Sequence, residues 1–314
     1  MTGSGSLGRR ITPAGLQRGR DVMSAWNRLA ADASGPANGN GHIGLRPDHL
    51  APWSLNAHHR QDGRELLHVE HLSIDFGGVQ ALRDVRLEVR TGEVTGVIGP
   101  NGAGKSTLFN CLSGLIQPDS GSVTFDGVPL RGAPSVRARR GLGRTFQTPR
   151  LFKSLSVLNN LLFGCEAADW SRHRYVFDPR LGRLPQGQRA EQIAHLVGFR
   201  GDLSAPAGSL PFGDLRTVEL ARALCGAPQL LMLDEPASGL DADQAETFVG
   251  LMKELAEMGL AVLLIEHDMA LVMGLCKRIT VLDFGQVIAE GTPDEVQRND
   301  TVIHAYLGRS AARA

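Results

Sequence analysis

The sequence lacks a dominant charge. Lys plus Arg and Asp plus Glu stand at 33 each in 314 residues, so bulk electrostatics give no reason to expect nucleic acid as a partner. It is also poor in cysteine. Its four cysteines (Cys111, Cys165, Cys225 and Cys276) are far apart in sequence and form no C-x-x-C pair. That argues against a zinc site or a disulfide framework and for buried, reduced thiols. Met1–Arg20 holds Gly, Ser and Arg but no apolar core segment, so no secretory leader is expected. No apolar run reaches the roughly 18 residues that a membrane-spanning helix needs. The longest, around Leu230–Leu233 and Leu260–Ile265, have the length of buried strands. If the protein works at a membrane, it must take the spanning part from a partner. No internal repeat is visible.

What is present is an ordinary globular composition, 42% hydrophobic and 21% charged, with a change of character near Arg64. Ser34–Asp62 is rich in Gly, Pro, Asn and His, a mixture that cannot bury a core. Residues 1–63 therefore read as a disordered extension, with a short amphipathic helix around Asp21–Ala31 carrying Val22, Trp26 and Leu29 on one side. Lone Trp26 and Trp53 in such a tail more often signify nothing than a docking site. From Leu66 the pattern becomes strand-like: Leu66–Ile74 and Val85–Val89 alternate apolar with polar residues, as half-buried antiparallel strands do. Val94–Gly99 is a short apolar run, then come a glycine-rich loop and a helix through about Ser113 that Gly114 is placed to end. Helices are predicted at Val157–Phe163, Gln188–Val197 and about Gln244–Met258. The last separates two buried-strand runs, Leu230–Leu233 and Val262–Ile265. Apolar strands alternating with helices imply a parallel sheet covered on both faces, an α/β fold.

The loop Gly99, Pro100, Asn101, Gly102, Ala103, Gly104, Lys105, Ser106 fits G-x-x-x-x-G-K-[ST], with Thr107 following. The motif requires a strand before it and a helix after it, and both are predicted here. Glycines let successive backbone N–H groups curl around phosphate oxygens, and the helix start adds unpaired donors and partial positive charge. Lys105 then reaches the β- and γ-phosphates and the Ser106 hydroxyl binds Mg²⁺. A glycine-rich turn can bind nothing, but not often with every motif position filled. Leu230–Leu233 ends in Asp234 and Glu235, which a buried strand delivers to its carboxyl edge, where ligands sit in open α/β sheets. Asp234 is the candidate Mg²⁺ holder and Glu235 the candidate base for an attacking water. Acidic residues often end strands for solubility alone; it is the phosphate loop that gives this pair its meaning.

Further segments resemble ATP-binding-cassette (ABC) proteins, in that family's order. Thr145-Phe146-Gln147 looks like the Q-loop, and Leu210-Pro211-Phe212-Gly213-Asp214 occupies the place of the signature motif, which implies that its helix is Leu215–Cys225. Ser238-Gly239-Leu240-Asp241 resembles the D-loop, Ile265-Glu266-His267-Asp268 the switch-histidine segment, and Phe76 stands where an aromatic stacks on adenine. The stretch Gly143–Phe152, with Leu233–Leu240 and the tail Ala305-Tyr306-Leu307-Gly308, is similar to the larger ATP-binding subunit of branched-chain amino acid importers. Urea and amide importers have similar subunits.

The resemblance covers about 64–308. It implies a P-loop cassette with a RecA-like parallel core, an antiparallel β subdomain and an inserted helical subdomain at about 148–214, followed by a tail at 309–314. It implies ATP and Mg²⁺ as cofactors, with Gln147 sensing γ-phosphate and metal, His267 contacting γ-phosphate, and Gly213 and Asp241 at a composite site. It implies partners: permease subunits, a second cassette packed head-to-tail, and indirectly an extracytoplasmic solute-binding protein, with the chain peripheral on the cytoplasmic face of the membrane. Phe152–Leu162 is the expected permease-gripping side. Pro211 departs from the family's serine and offers neither hydroxyl nor N–H; the helix beginning near Asp214 is expected to keep its dipole. Rival readings are a cassette that moves no solute and a regulatory cassette that hydrolyses poorly. No Asn/Thr-Lys-x-Asp segment supports a GTPase.

Overall fold

Alternation and continuity of apolar residues sort the strands into two sheets. A computed structural model describes residues 63–166, 179–240 and 242–311. The expected N-terminal extension and its amphipathic helix lie outside these residues, except for Gly63.

In β1 (Glu65–Phe76) and β2 (Val79–Arg90) the apolar positions Leu67, Val69, Leu72, Ile74, Leu82, Val85, Leu87 and Val89 point into the core. The two strands pair antiparallel, and with β4 (Ser120–Phe125) and β5 (Val128–Pro129) form a sheet in the order β2-β1-β4-β5. The runs β3 (Val94–Ile98), β7 (Leu230–Asp234) and β8 (Ala261–Ile265) are buried at every residue, as strands covered on both faces must be. They join β6 (Leu142–Arg144), β9 (Arg278–Asp283) and β10 (Gln286–Gly291) in a second sheet of order β10-β9-β3-β8-β7-β6, parallel except for β10.

Helix α1 (Lys105–Ser113) lies in the core common to the two sheets, where Leu108, Phe109 and Leu112 are fully buried. Each such side chain contributes roughly 1.5–3 kcal/mol. Gly114 ends the helix at φ 78°, as its position predicts, and Arg137 of α2 (Pro134–Arg139) completes the cap by donating to the carbonyls of Cys111 and Leu112 at 2.6 and 2.7 Å. That satisfies a guanidinium that is only 3% exposed.

Helices α3 (Val157–Glu166), α5 (Gln186–Leu196) and α6 (Phe212–Cys225) pack on one another, with short α4 (Pro179–Arg183) before α5. The order closes with α7 (Ala242–Glu257), α8 (Met269–Leu275), α9 (Pro293–Gln297) and α10 (Asp300–Ala311).

One sequence expectation changes. Helix α6 starts at Phe212, ahead of the Leu215 and Asp214 starts expected, with Pro211 as N-cap; proline's fixed φ of −57° ends the extended segment and its carbonyl accepts the Leu215 N–H at 3.0 Å. The cysteines are all free and buried, as expected. Cys165 and Cys225, remote in sequence, lie within electrostatic reach of each other across α3 and α6.

Candidate functional site

The glycine-rich loop runs from the end of β3 to the start of α1. Its shape needs glycine at two tight approaches. A Cβ on Gly99 would sit 2.0 Å from the Leu282 carbonyl oxygen, and one on Gly104 would sit 2.6 Å from that of Ala81. The neighbours crowding the loop are therefore β2 and the β9–β10 turn, where the Gly285 N–H also bonds the Ala103 carbonyl at 3.0 Å. Lys105 is 9% exposed and lays its ammonium across the loop, donating to the carbonyls of Gly99 (2.6 Å) and Pro100 (3.0 Å). Ser106 is exposed and Thr107 half-buried on the first turn of α1. Phe76, 49% exposed, ends β1 just before the turn into β2, the strand that contacts Gly104.

Three more candidates meet because β6, β7 and β8 are adjacent and parallel. Arg144 pairs with Met232, and Asp234 with Ile265, so the residues after each strand emerge at one edge. There the Gln147 amide donates to Glu235 Oε2 at 2.8 Å, and His267 Nδ1 stands 4.0 Å from the same oxygen. Glu235 takes φ 48°, a left-handed conformation costing a non-glycine residue roughly 1–2 kcal/mol. Its N–H bonds the Ile265 carbonyl at 2.9 Å, which holds it there. Backbone strain of this kind concentrates at functional positions.

Asp234 ends β7 at 7% exposure. Burial raises its carboxyl above the usual range, while Arg144 opposes that from 3.4 Å and Lys105 opposes it further. Gly213 is exposed on the first turn of α6; Asp241 lies outside the described residues. Among the described residues no group of three His, Cys, Asp or Glu side chains could hold a metal.

Several residues that shape this edge were not singled out from sequence. Arg144 also donates to the Phe109 carbonyl, Asn110 Oδ1 and Ser113 Oγ, pinning α1 to β6 and β7. Its guanidinium and that of Arg150 lie 4.7 and 4.4 Å from the Phe146 ring. Glu219, 2% exposed, accepts the backbone N–H of Phe146 (3.3 Å) and Arg150 (2.7 Å), fixing the loop around Gln147. Burial raises its carboxyl and these two donors pull it back. Glu266, 1% exposed, accepts the N–H of Ala237 (2.9 Å) and His267 (3.0 Å), joining the segment after Glu235 to the histidine. Tyr306 on α10 accepts the Gly99 N–H; burial, the larger effect, pushes its hydroxyl up to about 12. Arg144, Glu266 and Tyr306 fall in segments that carry the family resemblance, but each residue has a partner distant in sequence, so its contacts cannot be read locally.

The sequence profile of the family described as "ABC transporter" matches residues 82–238, from β2 through the strand bearing Asp234 and beyond it. The chain belongs to the ABC transporter family. A second profile, "Branched-chain amino acid ATP-binding cassette transporter", matches residues 286–312, which contain β10, α9 and α10. The high-affinity branched-chain amino acid transport ATP-binding protein BraF of Pseudomonas aeruginosa is 40% identical over 260 residues, covering 79% of this chain and 99% of that one. Among solved structures, the ADP conformation of an ABC transporter cassette is 32% identical, with TM-score 0.67 over 78% of this chain and 99% of that one. A dimeric post-hydrolysis cassette bound to ADP and Pi is 25% identical, with TM-score 0.60 over 73% and 99%. This ABC chain thus carries the expected P-loop α/β cassette and is an ATPase subunit that binds nucleotide.

Proposed function

We propose that this chain hydrolyses ATP to drive an ABC importer for branched-chain amino acids. The observation carrying the hydrolytic part is the convergence of Gln147, Glu235 and His267 at one sheet edge, with Asp234 of that edge within electrostatic reach of Lys105 on the loop. The solute assignment rests on the likeness to BraF and on the profile over 286–312.

In this reading the N–H groups of Gly102, Gly104, Lys105 and Ser106 and the Lys105 ammonium hold the phosphates, and Phe76 stacks on adenine. Glu235 takes the proton of the attacking water, Gln147 orients that water through its bond to Glu235, and His267 steadies the γ-phosphate. The Ser106 hydroxyl, the Asp234 carboxylate and the Gln147 amide oxygen are hard donors of the kind Mg²⁺ takes beside phosphates, so they fit it. Bound there, Mg²⁺ would neutralise charge developing on the phosphoryl oxygens. The rest is positioning and charge stabilisation by the chain's own groups.

Two cassettes would close head-to-tail, with Gly213 and Asp241 completing the partner's site. The early start of α6 answers the departure at Pro211. The N–H groups of Phe212, Gly213 and Asp214 all belong to its first turn, so donors remain where the family's serine is missing. Phe152 and Phe163, 53% and 48% exposed with ring centroids 5.1 Å apart, form an apolar patch suited to a permease segment. No helix among the described residues is long and apolar enough to cross a membrane, so attachment to the cytoplasmic face would come through that permease. A solute-binding protein would act from the far side.

The test is ATPase activity of the purified chain, alone and with permease subunits and candidate solutes, beside Glu235→Gln. Turnover that needs Glu235 and rises with permease and a branched-chain amino acid supports the whole reading. Stimulation by urea or an amide instead would move the solute class. ATP binding without hydrolysis in every combination would favour the regulatory cassette that Pro211 suggests.

A further inference from the structure

Arg216 lies one turn into α6, and the hydrolytic edge is tied to that helix through it. Its Nη1 donates to the Glu235 carbonyl at 2.7 Å and the Pro236 carbonyl at 3.1 Å, and its Nη2 donates to the Gln147 carbonyl at 3.1 Å. The guanidinium also lies over the Phe212 ring, 5.0 Å from its centroid. One side chain therefore holds the backbone of both residues assigned to the attacking water while resting on an aromatic of the signature segment.

The consequence for Glu235 is specific. Its left-handed backbone is held through its N–H by Ile265 and through its carbonyl by Arg216, supplemented by a longer bond from the Ser238 N–H at 3.3 Å. Releasing the guanidinium frees the carbonyl side, and with it the direction in which the carboxylate meets Gln147. The same fork holds the Gln147 carbonyl, alongside the Glu219 bonds to Phe146 and Arg150, so its loss disturbs both residues. Lysine cannot substitute: it has the charge but not the planar set of donors that spans three carbonyls, and it stacks less well on an aromatic face. Burial lowers the Arg216 pKa from its ordinary value and the carboxylates of Glu219, Glu266 and Glu235 oppose that. Arginine remains a cation throughout the working pH range.

Phe212 is 52% exposed on the first turn of α6, beside Gly213. In the dimer proposed above this turn faces the nucleotide held by the second cassette. We propose that Arg216 is a positioning residue coupling the two ATP sites: nucleotide of the second cassette settling on the Phe212–Gly213 turn orders the Phe212 ring, the ring seats the guanidinium, and the guanidinium sets Glu235 and Gln147 in this chain's own site. This inference rests on the reading of the chain as a dimeric ATPase. It adds a route by which occupancy of one site governs turnover at the other.

The experiment uses the full chain with the subunits that give it maximal activity. It compares native protein with Arg216→Lys, Phe212→Leu and Phe212→Tyr, with Glu235→Gln as the control for hydrolysis. For each, kcat, KM, the Hill coefficient for ATP, the Kd for a fluorescent ATP analogue and Tm are measured. Arg216→Lys is expected to lower kcat at least 10-fold and bring the Hill coefficient towards 1, with Kd within about 2-fold of native and Tm within a few degrees. Phe212→Leu should move kcat and the Hill coefficient in the same direction by a smaller factor, and Phe212→Tyr should keep native values. Native turnover in Arg216→Lys would overturn the inference. So would a parallel loss of kcat, affinity and Tm, which marks a merely structural role. Phe212→Leu indistinguishable from native would also overturn it. A native chain with no Glu235-dependent turnover would overturn the ATPase reading and this inference with it, whereas the other outcomes strike this inference alone.

Discussion

Glu235 and Asp234 are neighbours in sequence, yet the fold gives them opposite surroundings. Asp234 is buried against Arg144, while Glu235 turns out at φ 48° towards Gln147 and His267. Replacing Glu235 with Gln should leave the Kd for ATP within about 2-fold and lower kcat by roughly 10²–10⁴, the usual worth of a general base. Single-turnover hydrolysis at saturating ATP checks this, and near-native turnover would remove Glu235 as the base. Arg144 allows a second test. Burial already raises the Asp234 carboxyl and Arg144 is the largest opposing influence. Arg144→Met lets that pKa rise further, so the ionised carboxylate is lost at a higher pH and the acid limb of the kcat/KM profile moves up. Arg144→Lys keeps the charge and should leave the limb near its native position. Equal limbs in both variants would detach Asp234 from the profile. The Arg144–Asp234 contact was not legible in the chain, because the two residues are 90 apart and meet only through the pairing of β6 with β7.

At the scale of elements, the phosphate loop is a strand-to-helix connection whose conformation its own residues largely dictate, and it was legible for that reason. What its sequence does not say is how closely other elements press on it. Gly102 and Gly104 both take positive φ, 80° and 104°, but only Gly104 faces a backbone oxygen within 2.6 Å of an added Cβ. Gly102→Ala should therefore cost about 1 kcal/mol, the conformational penalty alone. Gly104→Ala should lose more, lowering Tm further and weakening ATP binding by at least 10-fold. Equal losses by calorimetry and nucleotide titration would mean that β2 yields freely. The start of α6 shows the reverse case. The likeness to the family's signature motif placed the start of this helix at Leu215. The structure begins it at Phe212 because Pro211 caps it and the Phe212 ring is paired with Arg216, one turn on.

For the whole molecule, Ser34–Asp62 has a composition that cannot bury a core. The chain truncated to residues 63–314 should therefore bind ATP within about 2-fold of the full chain and melt within a few degrees of it. A truncated chain that fails to bind or fold would give the extension a structural role that its composition does not suggest. Glu235→Gln, expected to hold ATP without using it, should form an ATP-dependent dimer by light scattering, alone or with a homologous cassette; no dimer with either would count against head-to-tail closure. The sequence by itself determined the glycine-rich loop, the buried runs ending in Asp234 and at Ile265, and the helix ended by Gly114. Each of these depends on neighbours within a few residues, through backbone conformation, period or capping. Only the tertiary structure decided that β6, β7 and β8 lie side by side and that Arg216, Glu219 and Glu266 hold the loops at their ends. Strand order and buried hydrogen-bond partners are contacts between distant segments, and no local pattern of side chains encodes them.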